Sequence, residues 1–181
     1  MKARFIGIIA ALVVFGAVAP AAKADDKADI NALYVKLVSH MKKKDVKGIM
    51  AMGTSDFQMK QDGQTLDAAQ ASQQMSVQFQ TMNVDSVSMK VSSFKVTGKK
   101  AVVNTNYAMK LSMQEPQGGP KHILADAGTT RDVLVKSAGG WKFRMTETVA
   151  HKTLMDGKPF NPMAPPGGGP GGGPTPPKKK K

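Results

Sequence analysis

The sequence predicts an α+β domain in which three N-terminal helices pack on a strongly curved antiparallel sheet, and three observations carry that prediction. Apolar residues recur at helical spacing in two segments, Ile30 to Met41 and Ala71 to Met82, and Asp45 and Gly53 bracket a short helix between them. From Val87 onward apolar residues alternate with polar residues at period two. The alternation then changes phase near Ser92 and Ser93, the mark of a β-bulge, and bulges bend sheets.

The chain opens with the pattern of a secretory signal. Lys2 and Arg4 are followed by a 14-residue apolar run, Phe5 to Val18, and Ala22-Lys23-Ala24 is a small-x-small cleavage site. The run is shorter than the ~20 residues that span a bilayer, so export and cleavage near Ala24 are expected, with a periplasmic or extracellular mature protein. The 181 residues include no cysteine, which excludes a lipoprotein anchor and disulfides.

The first helix follows from Ile30, Leu33, Tyr34, Leu37, Val38 and Met41, one apolar stripe, with Lys42, Lys43 and Lys44 complementing the dipole at its C-terminal end. Asp45 caps a short second helix that Gly53 ends. Phe57 and Met59 alternate in a short strand, and Asp62-Gly63 is a turn. Asp67 with Gln70 forms a capping box for a third helix, whose apolar face is Ala71, Met75, Phe79 and Met82.

Strands then follow one another. Val87, Met89 and Val91 alternate, and Phe94 and Val96 do so in the opposite phase. After Gly98-Lys99 comes a strand from Ala101 to Met113 with Val103, Thr105, Tyr107, Met109, Leu111 and Met113 on one face. A loop of 115–121 leads to a strand from about Ile123 to Lys136, a Gly-Gly turn, and a last strand from Trp141 to Lys152. Period two puts Val133, Val135, Trp141, Phe143 and Met145 on one face of this closing hairpin, and with them Arg131 and Glu147. A three-residue loop, Ala138 to Gly140, sets Arg131 directly opposite Glu147; a five-residue loop makes them diagonal neighbours. A charge on an apolar face means a ligand pocket or a structural ion pair.

Residues 161–181 read NPMAPPGGGPGGGPTPPKKKK, a composition that cannot bury enough apolar surface to order itself, so a disordered tail is expected after a domain of residues 25–160. The formal charge of +13 becomes +10 once Lys2, Arg4 and Lys23 are removed, and four of those charges are Lys178, Lys179, Lys180 and Lys181. Such a tail can tether the protein to an anionic envelope surface, or simply solubilise it; nucleic acid is not an expected partner of an exported protein.

No Gly-x-Ser-x-Gly, P-loop or catalytic cysteine is present, and His40, His122 and His151 lack zinc-ligand spacing. Met50-x-Met52 and Met59 could suggest soft-metal capture, but the methionines fall on the apolar stripes and serve better as adaptable lining; no metal or cofactor is expected.

The closing pattern, Arg131-Asp132-Val133-Leu134-Val135-Lys136 then Gly140-Trp141-Lys142-Phe143, behind three helices, resembles the nuclear transport factor 2-like superfamily, including its SnoaL-like branch, over roughly residues 29–156. That resemblance implies a cone-like α+β barrel, a pocket inside the cone, and a homodimer through the outer sheet face. It includes isomerases, cyclases, dehydratases and binding domains without activity, so the fold does not decide function. The expectation is an exported, non-catalytic module that binds a small apolar or amphipathic molecule, or a peptide, against Tyr34, Phe57, Met75, Phe79, Tyr107, Met109, Trp141 and Met145, with Arg131 and Glu147 orienting the polar end. The alternatives are an isomerase, cyclase or dehydratase with Glu147 as general base and Tyr107 or Tyr34 as donor, and an envelope-surface interaction protein held by its lysine tail.

Overall fold

The computed structural model describes residues 24–115 and 118–160. Residues 1–23 of the expected signal, 1–24, and the whole expected tail, 161–181, lie outside the described residues. Helices α1 (Ala24–Lys42) and α2 (Val46–Ala51) come first, then strands β1 (Gly53–Gln61) and β2 (Gln64–Asp67), helix α3 (Ala68–Thr81), and four long strands, β3 (Asn83–Thr97), β4 (Lys100–Gln114), β5 (Lys121–Ser137) and β6 (Gly140–Met155). A two-residue β7 (Lys158–Pro159) folds back on β6.

The local signals act as chemistry requires. Asp45 accepts a hydrogen bond from the Gly48 N–H at 2.8 Å and caps α2. At α3 the capping box is complete: Asp67 accepts from Gln70 N at 2.9 Å while Gln70 Oε1 accepts from Asp67 N at 3.0 Å. Asp62 and Gly63, at φ 50° and 76°, form the tight turn that folds β2 back on β1. Sequence reasoning missed β2 because Leu66 is its one apolar residue and leaves no alternation to read.

The sheet runs β2-β1-β6-β5-β4-β3. The expected antiparallel arrangement holds from β3 through β6, but β1 pairs with β6 in parallel, so the sheet is mixed. Alternation identifies a strand without giving its direction, and β1 reaches its partner only after the chain has laid down α3 and four further strands. The bulge expected near Ser92 is present between Val91 and Ser93, and a second lies between Val84 and Ser86. Two more interrupt the β5–β6 ladder. Four irregularities in strands of 15 to 17 residues curl the sheet around the helices.

The concave side carries the core: Ile30 and Tyr34 of α1 against Ala101, Val103, Leu134, Trp141 and Phe143, with Leu33, Leu37, Phe57 and Phe94 around them. Tyr34 and Phe143 meet edge to face at 5.4 Å between ring centres. The N-terminal end of α1 is pinned by Lys136, whose Nζ lies 2.6 Å from Asp26 Oδ1 and 5.5 Å from the centre of the Trp141 ring.

The closing hairpin corrects one expectation. Ser137 pairs with Gly140 around the Ala138-Gly139 bend, and Gly140 takes φ 100°. Lys136 and Leu134 therefore face Trp141 and Phe143, and the ladder then shifts so that Val133 faces Met145. Arg144 is the extra residue. Beyond it Arg131 does stand opposite Glu147, as the three-residue loop predicted, but on the convex side. The inward residues of β5 are Thr130, Asp132 and Leu134, all buried, whereas Arg131 is exposed. Trp141 and Phe143 share that inner face; Val133, Val135 and Met145 do not. A bulge reverses the face of the residues after it, here Met145 to Thr148, until the next bulge restores the phase.

Candidate functional site

Between the helices and the concave sheet lies a cavity of about 210 Å³. Six elements contribute one methionine each to its apolar wall: Met41, Met50, Met59, Met75, Met89 and Met109. Leu37, Ile49, Phe57, Val87 and Phe143 complete that wall. Methionine suits such a surface, because its unbranched thioether chain adapts to irregular shapes at little cost. The polar groups are confined to β4, β5 and β6: Tyr107, Asp126, Thr130, Thr146 and Thr148.

Two hydrogen-bonded clusters sit on the concave sheet. The deeper one centres on Asp132, which is 1% exposed. Tyr34 donates to its Oδ2 at 2.6 Å and Thr130 at 3.1 Å, while Thr105 and Thr130 share a hydrogen bond of 2.7 Å. Because Thr130 spends its proton on Asp132, Thr105 is the donor to Thr130. Burial pushes the Asp132 carboxyl above the ordinary carboxylate value, and the hydroxyls of Tyr34, Thr146 and Thr130 pull it down. Burial, then the charge of Asp132, raises the Tyr34 phenol in turn. Among the described residues Asp132 Oδ1 has no hydrogen-bond partner.

The second cluster borders the cavity. Tyr107 donates to Asp126 Oδ2 at 3.0 Å and Thr153 to Asp126 Oδ1 at 2.9 Å. His151 bridges two carboxylates, with Nδ1 3.5 Å from Asp126 Oδ1 and Nε2 3.1 Å from Asp62 Oδ1. Register explains the convergence, because Gly128 stands between Tyr107 on β4 and His151 on β6. A Cβ at Gly128 would run into the Ala150 carbonyl and lie 2.9 Å from His151 Cα and Cβ, so only glycine lets β6 approach this closely. Burial, then the charge of Asp126, raises the Tyr107 phenol above its ordinary value.

Of the residues expected from sequence to form a binding site, Phe57, Met75, Tyr107 and Met109 line the cavity. Tyr34, Phe79 and Trp141 are buried and lie outside its lining. Met145, Arg131 and Glu147 are on the convex side, where Lys60, Glu147 and Arg131 occupy adjacent places on β1, β6 and β5. Glu147 is therefore not placed to act as a base on anything held in the cavity. Sequence reasoning missed the inward polar row Asp126, Thr130 and Asp132, because alternation on β5 fits two phases and the other phase held both valines. Among the described residues no group of three or more His, Cys, Asp or Glu is placed to hold a metal, and no helix is long and apolar enough to cross a membrane.

No protein-family model matches the sequence, and no curated protein does. Solved structures do match the fold. A conserved protein from Planctomyces limnophilus has a TM-score of 0.61 at 15% identity over 72% of this chain and 98% of its own. A candidate dehydratase of the NTF2-like family from Streptomyces avermitilis has a TM-score of 0.55 at 12% identity, covering 70% of this chain and 98% of its own. A ketosteroid isomerase-like protein from Erwinia carotovora atroseptica has a TM-score of 0.52 at 16% identity over 70% and 98%. The helices and the curled mixed sheet are thus those of the nuclear transport factor 2-like fold.

Proposed function

We propose that the domain binds a small, mainly apolar molecule in the methionine-lined cavity, with Tyr107 and Asp126 meeting its polar end. The observation that carries this reading is the division of the lining: an adaptable apolar wall faces a polar wall of limited extent, the composition expected of a small-molecule site. At ~30 Å³ per water, the 210 Å³ cavity holds the equivalent of roughly seven waters, which suits a short chain or a single ring. The proposal includes export, supported by the N-terminal sequence pattern, and a mature N-terminus at Asp25 in an envelope fraction would test that part.

The test of the binding reading is calorimetric titration of the protein and its Met109→Trp variant with 1-octanol. Wild type binds and the variant, its cavity filled by the indole, loses at least tenfold in affinity while keeping its circular dichroism. Equal affinity in the two proteins would contradict the assignment of the site.

The His151 bridge favours a second reading, an acid-base enzyme in which Asp126 and His151 move protons. Fold neighbours named as dehydratase or isomerase-like are compatible with it. Asp126→Asn would then abolish turnover of a converted ligand while leaving its binding within a few-fold.

A further inference from the structure

Beside the methionine cavity lies a larger one of about 670 Å³, between α3, the β1–β2 turn and the far ends of β5 and β6. Its chemistry is different. Gln61, Gln64, Gln70, Gln73, Gln74 and Gln78 line it, four of them along α3 and two flanking the turn, over an apolar floor that includes Leu66, Val77, Leu124 and Phe160. Its ionisable groups are Asp62, Asp126 and His151; none of the described lining residues is lysine or arginine. That omission carries weight in a chain with 26 Lys and Arg against 13 Asp and Glu. Met109 and Asp126 belong to the lining of both cavities, so the apolar space and the amide-rich space meet at those two side chains.

We propose that one ligand spans both: an amphiphile whose apolar part occupies the methionine cavity and whose neutral, polyhydroxylated head lies in the glutamine-lined groove. This rests on the cavity reading above and adds the class of ligand. Each glutamine amide offers both donors and an acceptor, as each hydroxyl of a polyol does, so the groove can pair with such a head whichever way its protons point. An anionic head would meet Asp62 and Asp126 without a lysine or arginine to receive it. Met109, opposite Asp126 in the β4–β5 ladder, is a flexible side chain able to yield as the ligand threads the junction.

The probes are 1-octanol, octyl glucoside, octylamine and octanoate, each titrated calorimetrically into the purified protein below its micelle concentration. Octyl glucoside should bind at least tenfold more tightly than octanol, and octanoate at least tenfold more weakly than octyl glucoside. Gln73→Ala/Gln74→Ala, at two exposed positions of α3, should remove the glucoside advantage and leave octanol binding unchanged, the latter serving as the check on fold. Octyl glucoside and octanol binding equally, octylamine or octanoate binding tightest, or the glucoside advantage surviving the double substitution would each overturn this proposal with the cavity reading intact. Failure of all four probes to bind would overturn the cavity reading itself.

Discussion

Replacing Tyr34 with phenylalanine tests the buried polar cluster on which α1 and the sheet are joined. The ring and its edge-to-face contact with Phe143 remain, and only the hydroxyl that donates to Asp132 Oδ2 at 2.6 Å is lost. A hydrogen bond to a charged group contributes ~1.5–3 kcal/mol, and removing this one leaves Asp132 Oδ2 with Thr130, while Oδ1 already has no partner among the described residues. At about 3 °C per kcal/mol for a domain of this size, Tyr34→Phe should lower the melting temperature by roughly 5–9 °C. Calorimetry or circular dichroism melts measure it. Dependence on pH adds a second arm. The folded value of Asp132 is raised above its unfolded value, so the native state binds more protons between the two. Its contribution is most favourable below the ordinary carboxylate value and is lost as pH rises through the folded value. Subtracting the Asp132→Asn curve from wild type should reveal that downward slope. A Tyr34→Phe shift under ~2 °C, together with a flat difference curve, would refute the account of this cluster.

Other outcomes follow from single contacts. Gly128→Ala should cost ~1–3 kcal/mol or more and displace His151, because the added Cβ meets the Ala150 backbone; chemical denaturation and the His151 NMR signals report both. Asp67→Ala removes one half of the α3 capping box and should cost ~1 kcal/mol in a urea titration, with loss centred on the first turn of α3 in hydrogen exchange. Protonated His122 donates from Nδ1 to Asp156 Oδ2 at 2.7 Å and from Nε2 to Glu115 Oε1 at 3.0 Å, and those bonds raise it above the ordinary histidine value. An NMR titration should place its midpoint above that of a free histidine and show it falling in Asp156→Asn. The stability it contributes is present below the unfolded histidine value and lost as pH rises through the folded one.

How far the chain could be read in advance differed by element. The limits of α2 and α3, both Asp caps, the Asp62-Gly63 turn and the bulge at Ser92 are local signals, and each depends on a few adjacent residues whose chemistry admits one good solution. The parallel β1–β6 pair is set by how distant segments wrap, which no local pattern carries. The site was partly legible for the same reason. Tyr107 and Met109 belong to a β4 face whose phase is unambiguous, and both line the cavity. On β5 the phase was ambiguous, since Val133 and Val135 compete with Leu134, and the polar Asp132 and Thr130 look like a wet face. They are inside because Tyr34 and Thr105, 98 and 25 residues away from their partners, supply hydrogen bonds to Asp132 Oδ2 and Thr130. The inward placement of Glu147 failed with the Arg144 bulge, one residue that alternation alone cannot see.

The most direct test of the cavity as the binding site is methyl NMR of the protein labelled at methionine, titrated with 1-octanol. The resonances of Met41, Met50, Met59, Met75, Met89 and Met109 should shift together with one saturation curve while Met145, on the convex face, stays in place. Movement of Met145 with those six unmoved would contradict the account.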